Sequence, residues 1–504
     1  MEPSDIRYLR SRLGETQAQF GRRFDVSQIT VGYWESGRSQ PARRRLAELA
    51  ALSSDASTKP VSTTPFRPIQ YLGSKQRLAE TIASVVDEVA PGTGRVGDLF
   101  AGSGVVSAFL ARRRVVTAVD VQAYSQVLTS ALLYGQECDF EKLRRSHFFE
   151  RLKEATDEIE ARLSSLLQLE SEALQRAAQG DPCCLIELME YGSIAIHKQR
   201  PLRGCPPELS RLLDEAIAGI GQTRMRPGDA TATYYFGGPY FAYRQAIALD
   251  AMHVAAKSLK DQSLKQHVAA VLLSTASEIV NTVGKQFAQP MRLRKADGDV
   301  PPLLLRRALR DRTLDATSVF KAWGNKWSEH SLSSSLKHDV VRGDVVEFVA
   351  RDRACRAYYA DPPYTIDHYS RFYHVLETIV LRDSPRLAEM RKQGAFAVMR
   401  GVYRESRHQS LFCVPSLAPD AFHQLFSAAA KRSAPMVMSY SPFDEEAGHR
   451  PRLLALKDLV AIASRSYKRV SVMEITEHSH RKLNSKAQNN AIRNDAERLI
   501  ICEA

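Results

Sequence analysis

Asp361-Pro362-Pro363-Tyr364 is the most informative stretch of the sequence. It follows a short run of β-prone residues, 355–360, which predicts a strand. The two prolines prevent this strand from continuing and a helix from starting before them. A carboxylate, a backbone carbonyl and an aromatic ring are therefore held close together where a strand ends. Open α/β sheets bind their ligands at that end of their strands.

These three groups suit the exocyclic amine of a nucleobase. Such an amine is flat because its lone pair is delocalised into the ring, and it must become pyramidal before it can attack an electrophile. Asp361 and the Pro362 carbonyl can accept its N–H bonds and favour that change, while Tyr364 can stack on the base. The alternative is a structural turn in which the Asp caps a loop and the prolines stiffen it. The remaining sequence must decide between the two.

The composition is that of a basic globular protein. The 504 residues are enough for about two to four domains. A net charge of +13 favours a polyanionic partner such as nucleic acid. Seven cysteines without Cys-x-x-Cys spacing indicate reduced thiols, a cytoplasmic location and no metal site. No apolar run approaches the roughly 18 residues that span a bilayer, so no membrane association is expected.

A second motif lies in residues 69–75, ahead of an amphipathic helix. It places an aromatic residue, Tyr71, and a lysine, Lys75, just before the helix begins. Taken alone, Lys75 is better interpreted as a solvated lysine of the first helical turn.

A third motif joins two predicted strands through a glycine turn. Gly102 and Gly104 allow the backbone to approach a ligand closely, and Asp120 ends the next strand, where it can accept both hydroxyls of a ribose. The third glycine of a dinucleotide-binding turn is replaced by Ser107. A pyrophosphate needs that glycine-rich helix start, so the turn favours S-adenosylmethionine, which has no phosphate, over NAD.

In this order the motifs resemble those of the Dam-type DNA adenine-N6 methyltransferases. The resemblance implies an α/β fold with a Rossmann-like, seven-stranded mixed sheet, and methyl transfer from S-adenosylmethionine to adenine in double-stranded DNA. It implies catalytic roles for Asp361, Pro362 and Tyr364. The residues that it implies for cofactor binding are Tyr71, Lys75, Gly102, Gly104, Asp120, Asp344 and Asp361.

The same resemblance implies that residues 141–335 are an inserted, mainly helical target-recognition domain. This segment begins with helical periodicity and later contains aromatic and basic clusters, around Tyr240 and Lys285. Aromatic residues interleaved with basic ones suit a surface that meets DNA. The alternative, that the aromatic residues belong to the core, remains open for each of them.

Residues 1–52 predict a small all-α domain that resembles the phage-repressor helix-turn-helix family. Thr16 opens a capping box and Ser27 can cap the following helix. The turn glycine of the family is Asp25 here, and Asp tolerates left-handed conformations. The alternative is a bundle used only for dimerisation. The resemblance implies that the residues facing DNA are Ser27, Gln28, Ile29 and Tyr33.

The predicted domains are thus 1–52, a linker at 53–66, the catalytic domain in two parts at 67–140 and 336–504, and the insertion at 141–335. Three other functions remain open: cytosine-N4 methylation, methylation of RNA, and a transcriptional regulator whose methyltransferase domain only senses the cofactor. The cytosine enzymes commonly carry Ser in place of Asp361, which favours adenine. A restriction-modification system with a cognate endonuclease, and binding to the protein's own promoter, are expected biological settings.

Overall fold

The structure is a computed structural model with two compact units, Met1–Pro65 and Phe66–Ala504. The described residues are 6, 10, 16–42, 44–46, 48–49, 66–71, 73–221, 228–332, 336–366, 368–392, 395–441, 453–475 and 497–503. Apart from Phe66, the predicted linker 53–66 lies outside them.

In the described part of the first unit, a tight turn joins the short helices α1 (Gln17–Arg23) and α2 (Gln28–Ser36). Thr16 forms the predicted capping box with Gln19, and Ser27 caps α2 through the backbone amide of Thr30. Both caps satisfy amide groups that the first helical turn leaves without partners. The predicted helix starts are therefore confirmed.

The turn between these helices takes the left-handed conformation that the sequence requires. Asp25 has a φ of 53°, in the left-handed region that Asp tolerates. The chain also passes close to α1, because a Cβ on Gly21 would meet the Val26 carbonyl oxygen at 2.5 Å. The buried face of α2 carries Val31 and Trp34.

The second unit is built on a sheet. The strands of the described chain are β1 (Val96–Leu99), β2 (Val116–Asp120), β3 (Asp339–Arg342), β4 (Ala357–Ala360), β5 (Glu389–Lys392), β6 (Ala395–Val398), β7 (Met436–Tyr440), β8 (Arg469–Ile475) and β9 (Glu497–Glu503). Seven of them form one sheet in the order β3-β2-β1-β4-β7-β9-β8, while β5 and β6 form a separate hairpin. The first five strands of that order run parallel, and β9 runs antiparallel to both of its neighbours. The predicted seven-stranded mixed sheet is confirmed.

Both faces of this sheet are covered, as expected for parallel strands. Tyr358 and Tyr359 are successive residues of β4, so their side chains lie on opposite faces of the sheet. Each belongs to a different hydrophobic cluster. The helices that carry residues of these clusters are α3 (Ala79–Val89), α4 (Val105–Leu110) and α5 (Ala123–Tyr134) on one face, with α16 (Val345–Arg351), α19 (Ala418–Ala430) and α20 (Leu456–Ala463) on the other.

Between α5 and β3 the described residues are mainly helical and contribute no strand to the sheet. Their α-helices are α6 (Asp139–Arg145), α7 (Phe148–Arg162), α8 (Ser164–Ala178), α9 (Cys183–Tyr191), α10 (Ile194–Gln199), α11 (Pro207–Gly221), α12 (Tyr243–Lys257), α13 (Gln262–Ile279), α14 (Pro302–Arg312) and α15 (Ala316–Glu329). A π-helix, Ala232–Phe236, precedes α12.

The core of this helical insertion extends beyond it. Two helices follow Tyr364, α17 (Tyr369–Phe372) and α18 (His374–Leu381). Tyr373, between them, and Val375 and Leu376 of α18 belong to the same hydrophobic cluster as residues of α12 and α13. The insertion is therefore packed directly on the segment after β4. Within the described part of the chain, no helix has the length and apolar character needed to cross a membrane.

Candidate functional site

The predicted site residues meet at the carboxyl ends of the parallel strands. Asp361 follows β4, the glycine turn follows β1, and Asp120 ends β2. Because β1 lies between β2 and β4, these three ends are neighbours. The strand order also reverses direction here, which makes this edge the usual ligand crevice of an open α/β sheet.

Lys75 holds two carboxylates together at this edge. Its Nζ lies 3.0 Å from Asp361 Oδ1 and 3.2 Å from Glu497 Oε1. Lys75 and Glu497 are each 3% exposed. The interpretation of Lys75 as a solvated surface lysine is therefore wrong. One cation between two carboxylates leaves the cluster with a net negative charge.

The ionisation of Asp361 depends on this cluster. Burial raises the pKa of Asp361 from 3.8 to about 6, while the Lys75 ammonium opposes part of that rise and Glu497 adds to it. The carboxylate still has 22% of its surface exposed and is therefore within reach of a ligand. At neutral pH it is ionised and can only accept hydrogen bonds.

The other two groups of the catalytic motif are fixed by their surroundings. Pro362 is buried directly after the strand end. Tyr364 is half-buried, and its ring packs edge-to-face on Tyr440 with 5.3 Å between the ring centroids. Tyr440 itself is buried at the end of β7. This packing restricts the orientation of the Tyr364 ring.

Tyr71 lies over the glycine turn. A Cβ on Gly102 would meet the Tyr71 hydroxyl oxygen at 2.5 Å, and Gly102 has a φ of 56°. Glycine is thus required here to make room for Tyr71 as well as for the turn. Tyr71 stacks on Tyr373 at 4.9 Å and lies 6.0 Å from Tyr369, so three tyrosine rings line this part of the site.

Asp120 is held by the backbone on both sides. Its Oδ2 accepts from the Gly102 amide at 2.9 Å and its Oδ1 from the Gln122 amide at 2.8 Å. Burial raises the pKa of Asp120, and these hydrogen bonds oppose the rise. Gly104, with a φ of 76°, passes so close to α5 that a Cβ would meet Thr129 Oγ1 at 2.7 Å.

The substitution of the third glycine has a local explanation. The Ser107 hydroxyl donates to the Asp98 carboxyl group on β1, and both side chains are buried. Burial raises the pKa of Asp98 to about 7, and the hydrogen bond from Ser107 opposes the rise. Ser107 therefore gives a partner to a carboxyl group buried beneath the turn.

Asp344 is exposed at the start of α16, one strand away from Asp120. Its Oδ1 accepts from the amides of Val346 and Glu347 and so caps the helix. Its charge and that of Asp120 both act on the His408 imidazole, where they oppose the lowering of the His408 pKa by burial. Asp344, Asp120 and His408 therefore lie near one another.

A cavity of about 290 Å³ opens beside this group. It lies next to the ends of β2 and β3 and is bordered by α18 and by the loop that carries His408. Its polar lining residues are Gln122, Arg342, Ser370, His374, Glu377, Asp383, Arg404, Ser406, Arg407 and His408.

Two residues predicted to contact DNA do not lie where that contact requires. Tyr240 is fully buried, and its hydroxyl lies 3.0 Å from the Gly401 oxygen and 3.2 Å from His374 Nε2. The prediction for Tyr240 is therefore wrong, because its polar end is already used in the core. Lys285 is 18% exposed, and its ammonium bonds the Val280 carbonyl at 2.9 Å and Asp311 at 3.1 Å. Lys285 thus serves first to compensate a buried carboxylate.

The four predicted contact residues of the first unit are all exposed. Ser27 uses its hydroxyl in the cap, whereas Gln28 lies at the first position of α2. The exposed surfaces of Ile29 and Tyr33, 66% and 44%, are large for apolar side chains. All four side chains are thus accessible to solvent.

Glu497 was not among the predicted site residues. It is the first residue of β9, and β9 is antiparallel to the strands around it, so its start lies at their carboxyl edge. Pairing of Tyr440 with Arg498 brings the preceding residue to the site. The sequence shows Glu497 as an acidic residue at the start of the last strand. It could be identified as a site residue only if the antiparallel direction of that strand were known.

The comparisons agree with this geometry. No curated protein matches the chain significantly. A family match covers part of the site: it includes Tyr71, Lys75, Gly102 and Asp120 and ends before Asp361. This match supports an adenine methyltransferase that acts on DNA. The matched segment, residues 71–164, is similar to the family of D12 class N6 adenine-specific DNA methyltransferases.

Proposed function

We propose that the protein transfers a methyl group from S-adenosylmethionine to the N6 amino group of adenine in double-stranded DNA. The single observation that carries this proposal is the Lys75–Asp361–Glu497 cluster beside the glycine turn. The cluster holds the ionised Asp361 carboxylate at the end of β4. The neighbouring strand, β1, leads into the glycine turn that would receive the cofactor. The family match to the segment containing that turn supports the same reaction.

The donor set fits S-adenosylmethionine. The Asp120 carboxylate suits ribose hydroxyls, and the turn at Gly102 is free of side-chain bulk apart from the Tyr71 ring. One carboxylate oxygen of Asp344 is engaged in the helix cap. The Asp344 carboxylate would accept a hydrogen bond from the adenine amino group of the cofactor. Bound cofactor supplies a methyl group made electrophilic by a positively charged sulfur. A site with net negative charge favours such a cation.

The protein's own residues would act on the target amine. Asp361 and the Pro362 carbonyl would accept its two N–H bonds, which directs the nitrogen lone pair toward the methyl carbon. Tyr364 would stack on the base. A nitrogen–carbon bond forms as the carbon–sulfur bond breaks, and the nitrogen then releases one proton, which Asp361 can accept. Lys75 orients Asp361 and keeps it ionised until then.

The adenine must leave the double helix for this reaction, since its amino group is otherwise inside the stack. We assign recognition of the DNA site to residues 141–335. The exposed residues Gln28, Ile29 and Tyr33 would make a second, separate contact with DNA through α2. An operator at the protein's own promoter would suit that contact, as would a role beside a cognate restriction endonuclease.

Methylation of cytosine N4 and a purely cofactor-sensing regulator are the competing functions. Asp361 opposes the first, because those enzymes commonly carry Ser at this position. The regulator would not need a carboxylate held in place by a buried lysine. RNA as a substrate is opposed by the likeness of the first unit to DNA-binding proteins.

The deciding experiment incubates the protein with duplex DNA and labelled S-adenosylmethionine and then digests the DNA to nucleosides. We expect label on N6-methyl-2′-deoxyadenosine. Asp361→Asn should lower turnover by roughly 10²–10³-fold, as for other losses of a principal transition-state contact. Label on cytosine, or no label on any DNA tested, would contradict the proposal.

A further inference from the structure

The hairpin β5–β6 is the feature that the proposed reaction leaves without a role. It forms a two-stranded sheet of its own, apart from the seven-stranded one. Isolated two-stranded ribbons are marginally stable in water, so such an element usually depends on what it packs against. For the described residues of the hairpin, the supporting contacts lie at its base.

That base is firmly attached to the body of the protein. Leu387 and Val398 are buried. The Gln199 side chain of α10 donates to the Leu387 carbonyl at 2.9 Å and accepts from the Leu387 amide at 2.8 Å. The Ala388 amide donates to the Tyr403 carbonyl at 2.8 Å. The hairpin is therefore held in one place relative to the helical insertion.

Beyond the base, one face of the hairpin presents an arginine beside an aromatic ring. Arg391 and Phe396 are directly paired across the two strands, so their side chains share a face. Both are exposed, and 58% of Phe396 is accessible. Met390, paired with Ala397, is 47% exposed on the opposite face. An exposed aromatic ring beside an arginine suits contact with a nucleic acid, where the ring can stack and the guanidinium can bind phosphate.

The charge of the hairpin favours an anionic partner. Glu389 is the only acidic residue in the segment 389–398, whereas Arg391 and Lys392 are basic. The Glu389 carboxylate is already bound by the side chains of Gln199 at 3.0 Å and Arg200 at 3.2 Å. A two-stranded ribbon also has the width that the major groove of DNA admits.

The position of the hairpin connects it with the active site. Its base is bonded to Tyr403, and Arg404, Ser406, Arg407 and His408, which follow, line the cavity at the ends of β2 and β3. His408 in turn lies near Asp120 and Asp344. The base of the hairpin is therefore next to a cavity at the same sheet edge as Asp361, which follows β4.

We propose that the hairpin β5–β6 contacts duplex DNA next to the target base, with Phe396 against a base or sugar and Arg391 on a phosphate. This inference rests on the proposed function for its substrate. It places one determinant of DNA binding outside residues 141–335, in a segment that follows the catalytic motif.

The test uses the full-length protein with Phe396→Ala, Arg391→Ala and, as a control, Met473→Ala. Met473 is also an exposed apolar residue, but it lies on β8 at the far edge of the sheet. We expect Phe396→Ala to weaken binding to duplex DNA by about tenfold, the effect of losing one aromatic contact with a base. Arg391→Ala should lower the slope of log affinity against log salt by about one. Met473→Ala should change neither quantity, and all three should bind S-adenosylmethionine normally.

A photo-crosslinking amino acid at position 396 makes the contact itself visible. We expect it to label DNA within a few nucleotides of the methylated adenine. Crosslinks between two copies of the chain, or DNA binding by Phe396→Ala equal to that of Met473→Ala, would overturn the inference. A parent protein that crosslinks to DNA through residue 396 but methylates no adenine would instead contradict the proposed function and leave the hairpin contact standing.

Discussion

Asp361 has a positively charged neighbour, Lys75, and a negatively charged one, Glu497. The effect of each on the pKa of Asp361 can be tested by mutation. Its raised pKa of about 6 means that the acceptor form is lost as the pH falls through that value. Activity should therefore decline on the acid side near pH 6. Lys75 lowers the pKa of Asp361 and Glu497 raises it. Lys75→Met should move the acid limb to higher pH and Glu497→Gln should move it to lower pH.

Measurement of single-turnover methylation from pH 5 to 8.5 at saturating DNA and cofactor checks this prediction. Lys153→Met is the matched control, since Lys153 is exposed and pairs with Asp157 on its own helix. Shifts of the same sign in the Lys75 and Glu497 variants would show that the cluster does not control Asp361.

A second prediction for a single residue concerns Asp120, which we assign to cofactor binding rather than to methyl transfer. Its carboxylate is aligned by two backbone amides, so its removal should cost mainly the hydrogen bonds to the ribose. Asp120→Ala should weaken S-adenosylmethionine binding by about 1.5–3 kcal/mol, the usual value of hydrogen bonds to a charged group. Calorimetric titration with the cofactor measures this. Unchanged cofactor affinity, or an equal loss in cofactor-free DNA binding, would contradict the assignment.

At the scale of elements, local signals were sufficient for the ends of helices and strands. The caps at Thr16 and Ser27, the left-handed Asp25 and the strand before Asp361 follow from residue types and short spacings. Glu497 could not be found this way, because its place depends on the antiparallel pairing of β9 with β7. The predicted DNA contacts of Tyr240 and Lys285 were wrong for a related reason. The aromatic and basic content of a segment does not show which of its side chains the core will bury.

The helical insertion is the element to which we assign recognition of the DNA site. Its helices share a core with α17 and α18, so an exchange must keep that interface. Replacement of residues 141–335 by the corresponding segment of a related enzyme, with interface residues retained, should change the methylated sequence. Sequencing of DNA from expressing cells, with detection of modified adenines, reads this directly. A chimera that is active on the original site would place specificity elsewhere, for instance in the hairpin.

At the scale of the whole molecule, the two compact units suggest two separable activities. All the predicted catalytic and cofactor residues lie in the second unit, and that unit also contains the insertion. The first unit presents exposed α2 residues and is not needed for the proposed chemistry. It could bind a discrete operator through base-edge contacts, or tether the enzyme to any DNA and raise the local concentration of sites. We favour the operator, because Gln28 lies at the exposed start of a capped helix.

A truncated protein that begins at Thr64 tests whether methylation is independent of the first unit. Without the first unit, the protein should keep its methylation site and most of its activity at saturating DNA. The full-length protein should protect one discrete sequence upstream of its gene, and Gln28→Ala should abolish that protection, since a good base contact contributes about 1–3 kcal/mol of discrimination. Arg38→Ala is the control, because Arg38 is exposed beyond the C-terminal end of α2, at the opposite end from Gln28, and its loss is expected to weaken binding to all sequences alike. If Gln28→Ala changes nothing while Arg38→Ala weakens every duplex equally, the first unit is a tether and the operator assignment is wrong.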